Sequence, residues 1–462
     1  MFFASLLLEV RAMKVVPSQR RQSTAEPKSP KVIPASPKKT PSSQKKRLDP
    51  SSNESTLIPS FSNVPELPFL YRRDLLSEGK NRFFAPLNIP FERRLQTLAI
   101  FLWIIALPVS MMINLGIIAL IASTWFYIST HLATFFGGIL VAYLSTYFFK
   151  KPYQRKGSGW ATFTKTRVFA LLSSLFCQYF PSRVVFDGLT PEECEKVGGL
   201  VERDFFHAGK RYLCCCHPHG LFGLGVWGAF VAKPANPRGG HAALSRLMHG
   251  GSRTPQASRI PPTFQYTAHT MTMNFNIPAW REWLLSIGFR DVEKRTLLRC
   301  LAEDPTTTLG HLAFLVPGGA AESINCTEPI LTLKSRKGFV KIALLTGCHL
   351  VPVYTFGETK LYKPLTKNRK VLTFIRKIQK LIGLGTPLVC GRGIFNYGFG
   401  MLPHRETLTT VVGKPIPVEK NESFTPRDVD ALHAQYVEAI CSLYRRYQPI
   451  YDPSGAEELT LV

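Results

Sequence analysis

Leu213-Cys214-Cys215-Cys216-His217-Pro218-His219-Gly220 is a run of small apolar residues that ends in two imidazoles separated by a proline. Proline fixes φ, lacks a backbone donor and pushes the residue before it towards extended geometry. The glycine that follows permits a tight turn or the close approach of a ligand. The stretch reads as a buried strand that presents His217 and His219 on the loop at its end. Imidazole is the side chain best suited to take and return a proton near neutral pH, so this loop is the candidate active site.

Three other readings compete. A histidine at a strand end is often a hydrogen-bonded structural residue. A metal site would need further ligands, and no His-x-x-x-His, Cys-x-x-Cys or nearby His/Asp cluster completes a set. A thiol nucleophile would use Cys216, but three consecutive cysteines behave as small hydrophobes in a buried strand rather than as one activated thiolate. The expectation is therefore proton transfer without a metal.

Working outward, the 462 residues carry 57 Lys and Arg against 31 Asp and Glu, a net charge of +26 that asks for an acidic partner. Nucleic acid, anionic lipid and a phosphorylated cofactor are the classes that fit. Ten cysteines without paired spacings argue against a disulfide framework and place the catalytic part on a reducing face. Residues 1–90 are rich in Pro, Ser and Lys and read as a largely disordered basic tail. The tail has no interleaved aromatics and precedes an apolar run, which favours anionic lipid headgroups over nucleic acid. Met1–Leu8 is apolar but lacks a basic n-region, a poor secretory signal.

Between Leu95 and Phe149 there is no Lys, Arg, Asp or Glu. A membrane span needs ~20 apolar residues, so the run holds two, set at Leu98–Leu120 and Ala122–Phe148. Arg93 and Arg94 precede it, and Lys150, Lys151, Arg155 and Lys156 follow. Basic flanks on both sides predict a transmembrane helical hairpin over 95–149 with both ends cytosolic. An amphipathic helix is expected over Trp160–Tyr179, closed by the block Tyr179-Phe180-Pro181. Phe186–Pro191 and Val201–Cys216 follow and lead into the His-Pro-His-Gly loop, and 232–262, rich in Gly, Pro, Arg and Ser, reads as a loop insertion.

From Thr263 onward helical patterns alternate with short apolar runs. His311–Val316, His349–Phe356 and Leu408–Val412 read as strands, and Lys334–Thr346 as a helix. Thr425-Pro426-Arg427-Asp428 starts another helix, with Pro at its first position and a carboxylate to cap it, running to about Tyr447. Strands interleaved with helices imply an α/β fold, a mostly parallel sheet with flanking helices. Two further stretches could carry chemistry. Pro317-Gly318-Gly319-Ala320-Ala321-Glu322 ends a strand in exposed backbone donors and a carboxylate. Arg336, Lys337, Gly338 and Lys341 form a basic helix start of the kind that meets phosphates. Alone, the first is an ordinary tight turn and the second a solvated face.

Taken in order, these stretches resemble the type-2 diacylglycerol acyltransferase family. The series runs Tyr179-Phe180-Pro181, His217-Pro218-His219-Gly220, Asn274–Pro278 with Arg281-Glu282, and Pro317–Glu322. It continues through Arg336–Lys341, Leu350–Tyr354, Phe356-Gly357-Glu358, Gly391–Phe395 and Thr410–Ile416. The resemblance covers roughly Leu95 to Tyr447. It implies a glycerolipid-acyltransferase-like domain over 160–449, followed by a short tail over 450–462. Phe222 stands where related glycerolipid acyltransferases hold an Asp, which leaves Glu322 as the candidate orienting carboxylate. The insertion 232–262 and the segment Gly288–Arg295 depart from the family pattern and bear on the acceptor pocket.

What the resemblance implies is acyl transfer from acyl-CoA, a co-substrate and not a cofactor, to the free hydroxyl of diacylglycerol. His217 or His219 would be the base, and the sequence does not choose between them. Backbone N–H groups near Gly220 or Gly318 and Gly319 would hold the oxyanion; Arg336, Lys337 and Lys341 would meet the CoA phosphates. Tyr179, Phe180, Pro181, Pro218, Asn274, Arg281, Glu282 and Gly338 complete the expected substrate-binding set. The implied setting is the endoplasmic reticulum membrane or a lipid droplet surface, with homo-oligomerisation left open. Monoacylglycerol or a long-chain alcohol is the alternative acceptor. A non-catalytic lipid-binding protein is the alternative of another class, and intact His217, His219 and Glu322 argue against it. A serine hydrolase lacks its Gly-x-Ser-x-Gly elbow.

Overall fold

In the computed structural model the His-Pro-His-Gly strand, β2 (Arg211–His217), lies in the middle of a seven-stranded sheet. The structure describes residues 89–149, 166–189, 205–207, 209–231, 264–302, 310–366, 368, 371, 374, 387–456 and 458–462. The basic tail up to residue 88, the insertion 232–262 and the start of the helix expected from Trp160 lie outside the described residues. Among the strands are β1 (Ser182–Phe186), β3 (Phe264–Thr270), β4 (Phe289–Asp291), β5 (Gly310–Leu315), β6 (Ile330–Leu331) and β7 (His349–Phe356). The remainder are β8 (Lys363–Pro364), β9 (Val389–Cys390), β10 (Leu408–Val412) and β11 (Thr460–Leu461). The large sheet runs β1-β10-β7-β2-β5-β3-β4. Its one antiparallel pairing is β10 with β7; the others are parallel, as a mostly parallel sheet requires.

Central parallel strands are covered on both faces and read as continuous apolar runs. β2 obeys this: Tyr212 through His217 are all buried. Leu213 and Cys215 face one core with Ala313, Leu350 and Tyr354, while Cys214 and Cys216 face the other with Phe314 and Val351. Burial raises the Cys214, Cys215 and Cys216 thiols well above the ordinary range, which leaves them as packing residues.

Helices α1 (Phe91–Tyr127), α2 (Thr130–Phe149) and α3 (Arg167–Tyr179) precede the sheet; α4 (Trp280–Ser286), α5 (Lys294–Leu301), α6 (Gly338–Thr346) and α7 (Pro426–Tyr451) pack around it. The start of α7 is as read from sequence: Thr425 Oγ1 accepts from Asp428 N–H at 3.3 Å and Asp428 Oδ2 accepts from Thr425 N–H at 2.7 Å. Residues past Tyr451 return to the domain, where β11 pairs with β6.

The apolar run differs from expectation in its break point. α1 continues past the expected stop at Leu120 to Tyr127, and the turn falls at Ile128–Ser129. Its polar residues do not interrupt the helix because their hydroxyls donate inward: Thr124 Oγ1 to the Leu120 carbonyl at 2.8 Å and Ser110 Oγ to Ala106 at 2.7 Å. Among the described residues α1 is the one helix long and apolar enough to cross a membrane, by length and composition; α2 is apolar but shorter. The first half of α1 is docked on the domain. Ile100 and Ile104 are buried with Tyr179, Phe180, Trp227 and Leu402. Trp103 stacks on Trp227 at 4.1 Å. Arg405 donates to Gln96 Oε1 at 2.6 Å and to the Arg93 carbonyl at 3.0 Å, and its guanidinium lies 4.1 Å above the Tyr179 ring.

Candidate active site

Ligand sites in parallel α/β sheets form beyond the carboxyl ends of the strands. Here three adjacent strands, β7, β2 and β5, end at one place. β2 delivers His217 and His219, the turn after β5 delivers Glu322, and the turn after β7 delivers Glu358. Chain segments far apart in sequence thus meet because their strands are neighbours.

The two histidines have different surroundings. His217 is buried, with Nε2 at 3.0 Å from the Tyr436 hydroxyl. That hydroxyl donates to the Cys215 carbonyl at 3.2 Å, so its oxygen accepts from His217 Nε2–H. His217 Nδ1 faces Glu322 Oε1 at 3.8 Å, beyond hydrogen-bond length. His219 is only half-buried, and its Nδ1 lies 3.0 Å from the Gly220 carbonyl. A carbonyl only accepts, so Nδ1 carries a proton and, in the neutral ring, the lone pair is on Nε2.

Glu322, the orienting carboxylate expected from sequence, lies 3.8 Å from His217 Nδ1 and makes its hydrogen bonds to backbone rather than to an imidazole. It is buried and holds backbone: Oε2 accepts from His219 N–H at 2.8 Å and Oε1 from Thr332 N–H at 3.1 Å. Gly318 makes room for it, since a Cβ there would fall 2.5 Å from the Glu322 carboxyl carbon. The ring-orienting acceptor is the Gly220 carbonyl instead.

Glu358 clamps the other end of the loop. Buried, it accepts from Leu224 N–H at 3.2 Å and Gly225 N–H at 2.6 Å, the first turn of the short helix after the loop. Gly220 has a φ of +59° and its α-carbon faces the Glu358 carboxylate, so no side chain fits between them. Burial pushes the Glu358 carboxyl up to about 8, with the two N–H donors pulling it back. Sequence reasoning passed over Glu358 and Tyr436 as site residues. Phe356-Gly357-Glu358, a carboxylate just past a strand end, was the available signal for the first; nothing local marks the second.

Pro218 and Gly220 flank His219 in the loop, and Gly318 packs against Glu322. Gly319 closes a turn, its N–H donating to the Val316 carbonyl at 3.2 Å. Tyr179 and Phe180 are fully buried behind the loop with Leu224, and Tyr179 donates to the Pro403 carbonyl at 2.6 Å. Pro181 accepts from Leu408 N–H at 3.2 Å. Asn274 donates to Thr270 Oγ1 at 2.8 Å; Arg281 is buried in α4, and Glu282 Oε2 accepts from Ala279 N–H at 3.0 Å. Arg336, Gly338 and Lys341 are exposed at the start of α6, a few residues past Thr332. Lys337 donates to Asp430 Oδ1 at 2.6 Å. Among the described residues no group of three His, Cys, Asp or Glu is placed to hold a metal.

Comparison with known proteins identifies the family. Residues 251–462 match the family model described as diacylglycerol acyltransferase. Diacylglycerol O-acyltransferase 2A of Umbelopsis ramanniana is 32% identical over 82% of this chain and 93% of its own length. Diacylglycerol O-acyltransferase 2 of Dictyostelium discoideum is 31% identical over 79% and 95%. The 2-acylglycerol O-acyltransferase 1 of Bos taurus is 30% identical over 80% and 96%. With this similarity along nearly the full length of its relatives, the chain belongs to the diacylglycerol acyltransferase family of the type-2 kind.

Proposed function

We propose that the chain transfers an acyl group from acyl-CoA to the free hydroxyl of diacylglycerol, with His219 as the general base. The observation that carries this is the contrast between the imidazoles. His217 is buried and committed to Tyr436, whereas His219 reaches the surface of the site with Nδ1 fixed on Gly220 and Nε2 free to accept a proton.

His219 Nε2 takes the acceptor hydroxyl proton as the oxygen adds to the thioester carbonyl. Loop N–H groups are the candidate oxyanion donors; Gly319 N–H is already engaged, which favours Gly220. The tetrahedral intermediate collapses with cleavage of the carbon–sulfur bond, and His219 returns its proton to the departing CoA sulfur. The ester and free CoA thiol are the products, and no acyl-enzyme is needed. Positioned base catalysis supplies typically 10²–10⁴-fold. Arg336 and Lys341 are the candidates for the CoA phosphates, with Lys337 shared with Asp430.

An endoplasmic reticulum location, or the surface of a lipid droplet, belongs to the same reading. So does an α1–α2 hairpin with both ends cytosolic and a basic tail on anionic headgroups. The 2-acylglycerol O-acyltransferase among the relatives favours monoacylglycerol as the second acceptor. The test is purified protein in micelles with labelled oleoyl-CoA and diacylglycerol, monoacylglycerol or fatty alcohol. Diacylglycerol should give the highest kcat/KM; transfer to none of the three would refute the reading.

A further inference from the structure

The docked half of α1 sets a limit on how it can sit in a bilayer. Arg405 grips Thr97 and the Arg93 carbonyl, and Asn114 Nδ2 donates to the Pro278 carbonyl at 3.0 Å. From Thr97 to Asn114 the helix runs ~26 Å along the domain. Only Asn114 to Tyr127, ~20 Å, extends beyond that contact, less than the ~30 Å hydrocarbon core of a bilayer. Yet the docked half also shows apolar side chains on its outer face: Leu98, Leu102, Val109, Met111 and Met112 are exposed.

Two loops next to α1 expose large apolar side chains too. One follows β3: Met271 and Met273 are exposed, while Phe275 between them and Pro278 anchors the loop in the core shared with Ile100 and Ile104. The other follows β9. Its ends are pinned by the Arg392 and Leu402 backbones, which bond in both directions at 2.6 and 2.9 Å, and Leu402 lies in that same core. Its tip exposes Phe395 at 70%, Phe399 at 64% and Met401 at 63%. Arg405, which grips α1, is three residues beyond the loop. Apolar patches of this kind mark contact surfaces rather than ordinary solvent-facing loops.

We infer that the catalytic unit itself is seated in the bilayer surface, on Met271 and Met273 at one end of the docked part of α1 and Phe395, Phe399 and Met401 at the other. The inference rests on the membrane reading above. Lipid is the occupant because the two loops flank the docked part of α1, at Asn114 and at Arg93, and because the apolar side chains of α1 between those contacts, Leu98, Leu102, Val109, Met111 and Met112, are left exposed among the described residues as the loop tips are. The histidine loop lies beside the second loop. Phe222 in the histidine loop is exposed, its ring 6.2 Å from Tyr362, whose hydroxyl donates to the Met401 carbonyl at 3.1 Å. An acceptor dissolved in the bilayer would then approach His219 without crossing water.

The test uses the full chain in nanodiscs and a carbene-generating reagent dissolved in the bilayer, with peptides mapped by mass spectrometry. Label is expected on α1, on 271–273 and on 395–401, but not on the exposed start of α7 at 420–428. Label on α1 with neither loop modified would overturn the seating and leave the membrane reading standing. Absence of label from α1 as well would overturn both. As a second arm, Phe399→Ser with Met401→Ser should raise the apparent KM for diacylglycerol in vesicles by about fivefold or more and leave micellar turnover unchanged. Equal loss in both media would overturn the inference.

Discussion

Replacing Glu322 by Gln isolates the role the structure gives this carboxylate, with almost no change of shape. The native side chain offers two charged acceptors to two backbone donors, His219 N–H at 2.8 Å and Thr332 N–H at 3.1 Å. The amide keeps one oxygen and turns an NH₂ group towards the other donor. One charge-assisted hydrogen bond is lost, worth about 1.5–3 kcal/mol, and a buried N–H loses its partner. If that disturbance falls on His219, each ~1.4 kcal/mol lost from the transition state is a factor of about 10 in rate. A fall in kcat of about 10- to 10²-fold follows, with the KM for acyl-CoA changed less than about twofold, in steady-state assays with labelled oleoyl-CoA in micelles. Adding His219→Ala should cost scarcely more in rate than His219→Ala alone, because the effect of the carboxylate on the chemistry runs through the placement of that imidazole. Wild-type turnover by Glu322→Gln, or fully additive losses, would refute the clamp.

Two further outcomes test other parts of the site. The Glu358 carboxyl sits near 8 when folded, above its ordinary 4.5, so its contribution to stability is full below about pH 4.5 and is lost as pH rises through 8. The melting temperature of wild type should therefore fall between pH 5 and 8.5, with a slope limited to about 1.4 kcal/mol per pH unit, and Glu358→Gln should flatten it; parallel curves would contradict the assignment. β11 holds the strand next to Thr332: Thr460 N–H donates to Pro329 at 3.1 Å, Val462 N–H to Leu331 at 2.9 Å, and the Val462 carbonyl accepts from Leu333 and Lys334 at 3.0 Å. Deleting 458–462 should lower kcat about tenfold through Thr332 and Glu322, and unchanged kcat would show that β6 stands without its partner.

Continuous apolar runs and local caps were the legible part of the fold. β7 and β10 fall where His349–Phe356 and Leu408–Val412 read as strands, and the Thr425–Asp428 cap opens α7 as expected. β3 escaped notice because it carries polar residues that the fold buries in pairs: Thr267 Oγ1 lies 2.9 Å from both His269 Nε2 and His311 Nε2. β1 was not read from sequence either: Ser182–Phe186 is marked as a strand by its pairing with β10. The break in the apolar run was hidden for a similar reason: Thr124, close after the expected break, keeps the helix going by donating its hydroxyl to the Leu120 carbonyl. Both histidines and Glu322 were legible from motifs, but the division of labour among them was not. It depends on Tyr436, 219 residues along the chain, and on a main-chain carbonyl that no pattern of side chains announces.

The choice of base is the central claim, and single-turnover rates of His219→Ala and His217→Ala test it most directly, with diacylglycerol and acyl-CoA in micelles and melting temperature measured alongside. His219→Ala should lose 10²-fold or more in rate while melting near wild type, because the side chain is half-buried and makes one local hydrogen bond. His217→Ala should melt lower, through the lost Tyr436 contact and the cavity it leaves. A His219→Ala protein that turns over within a few-fold of wild type would contradict the mechanism.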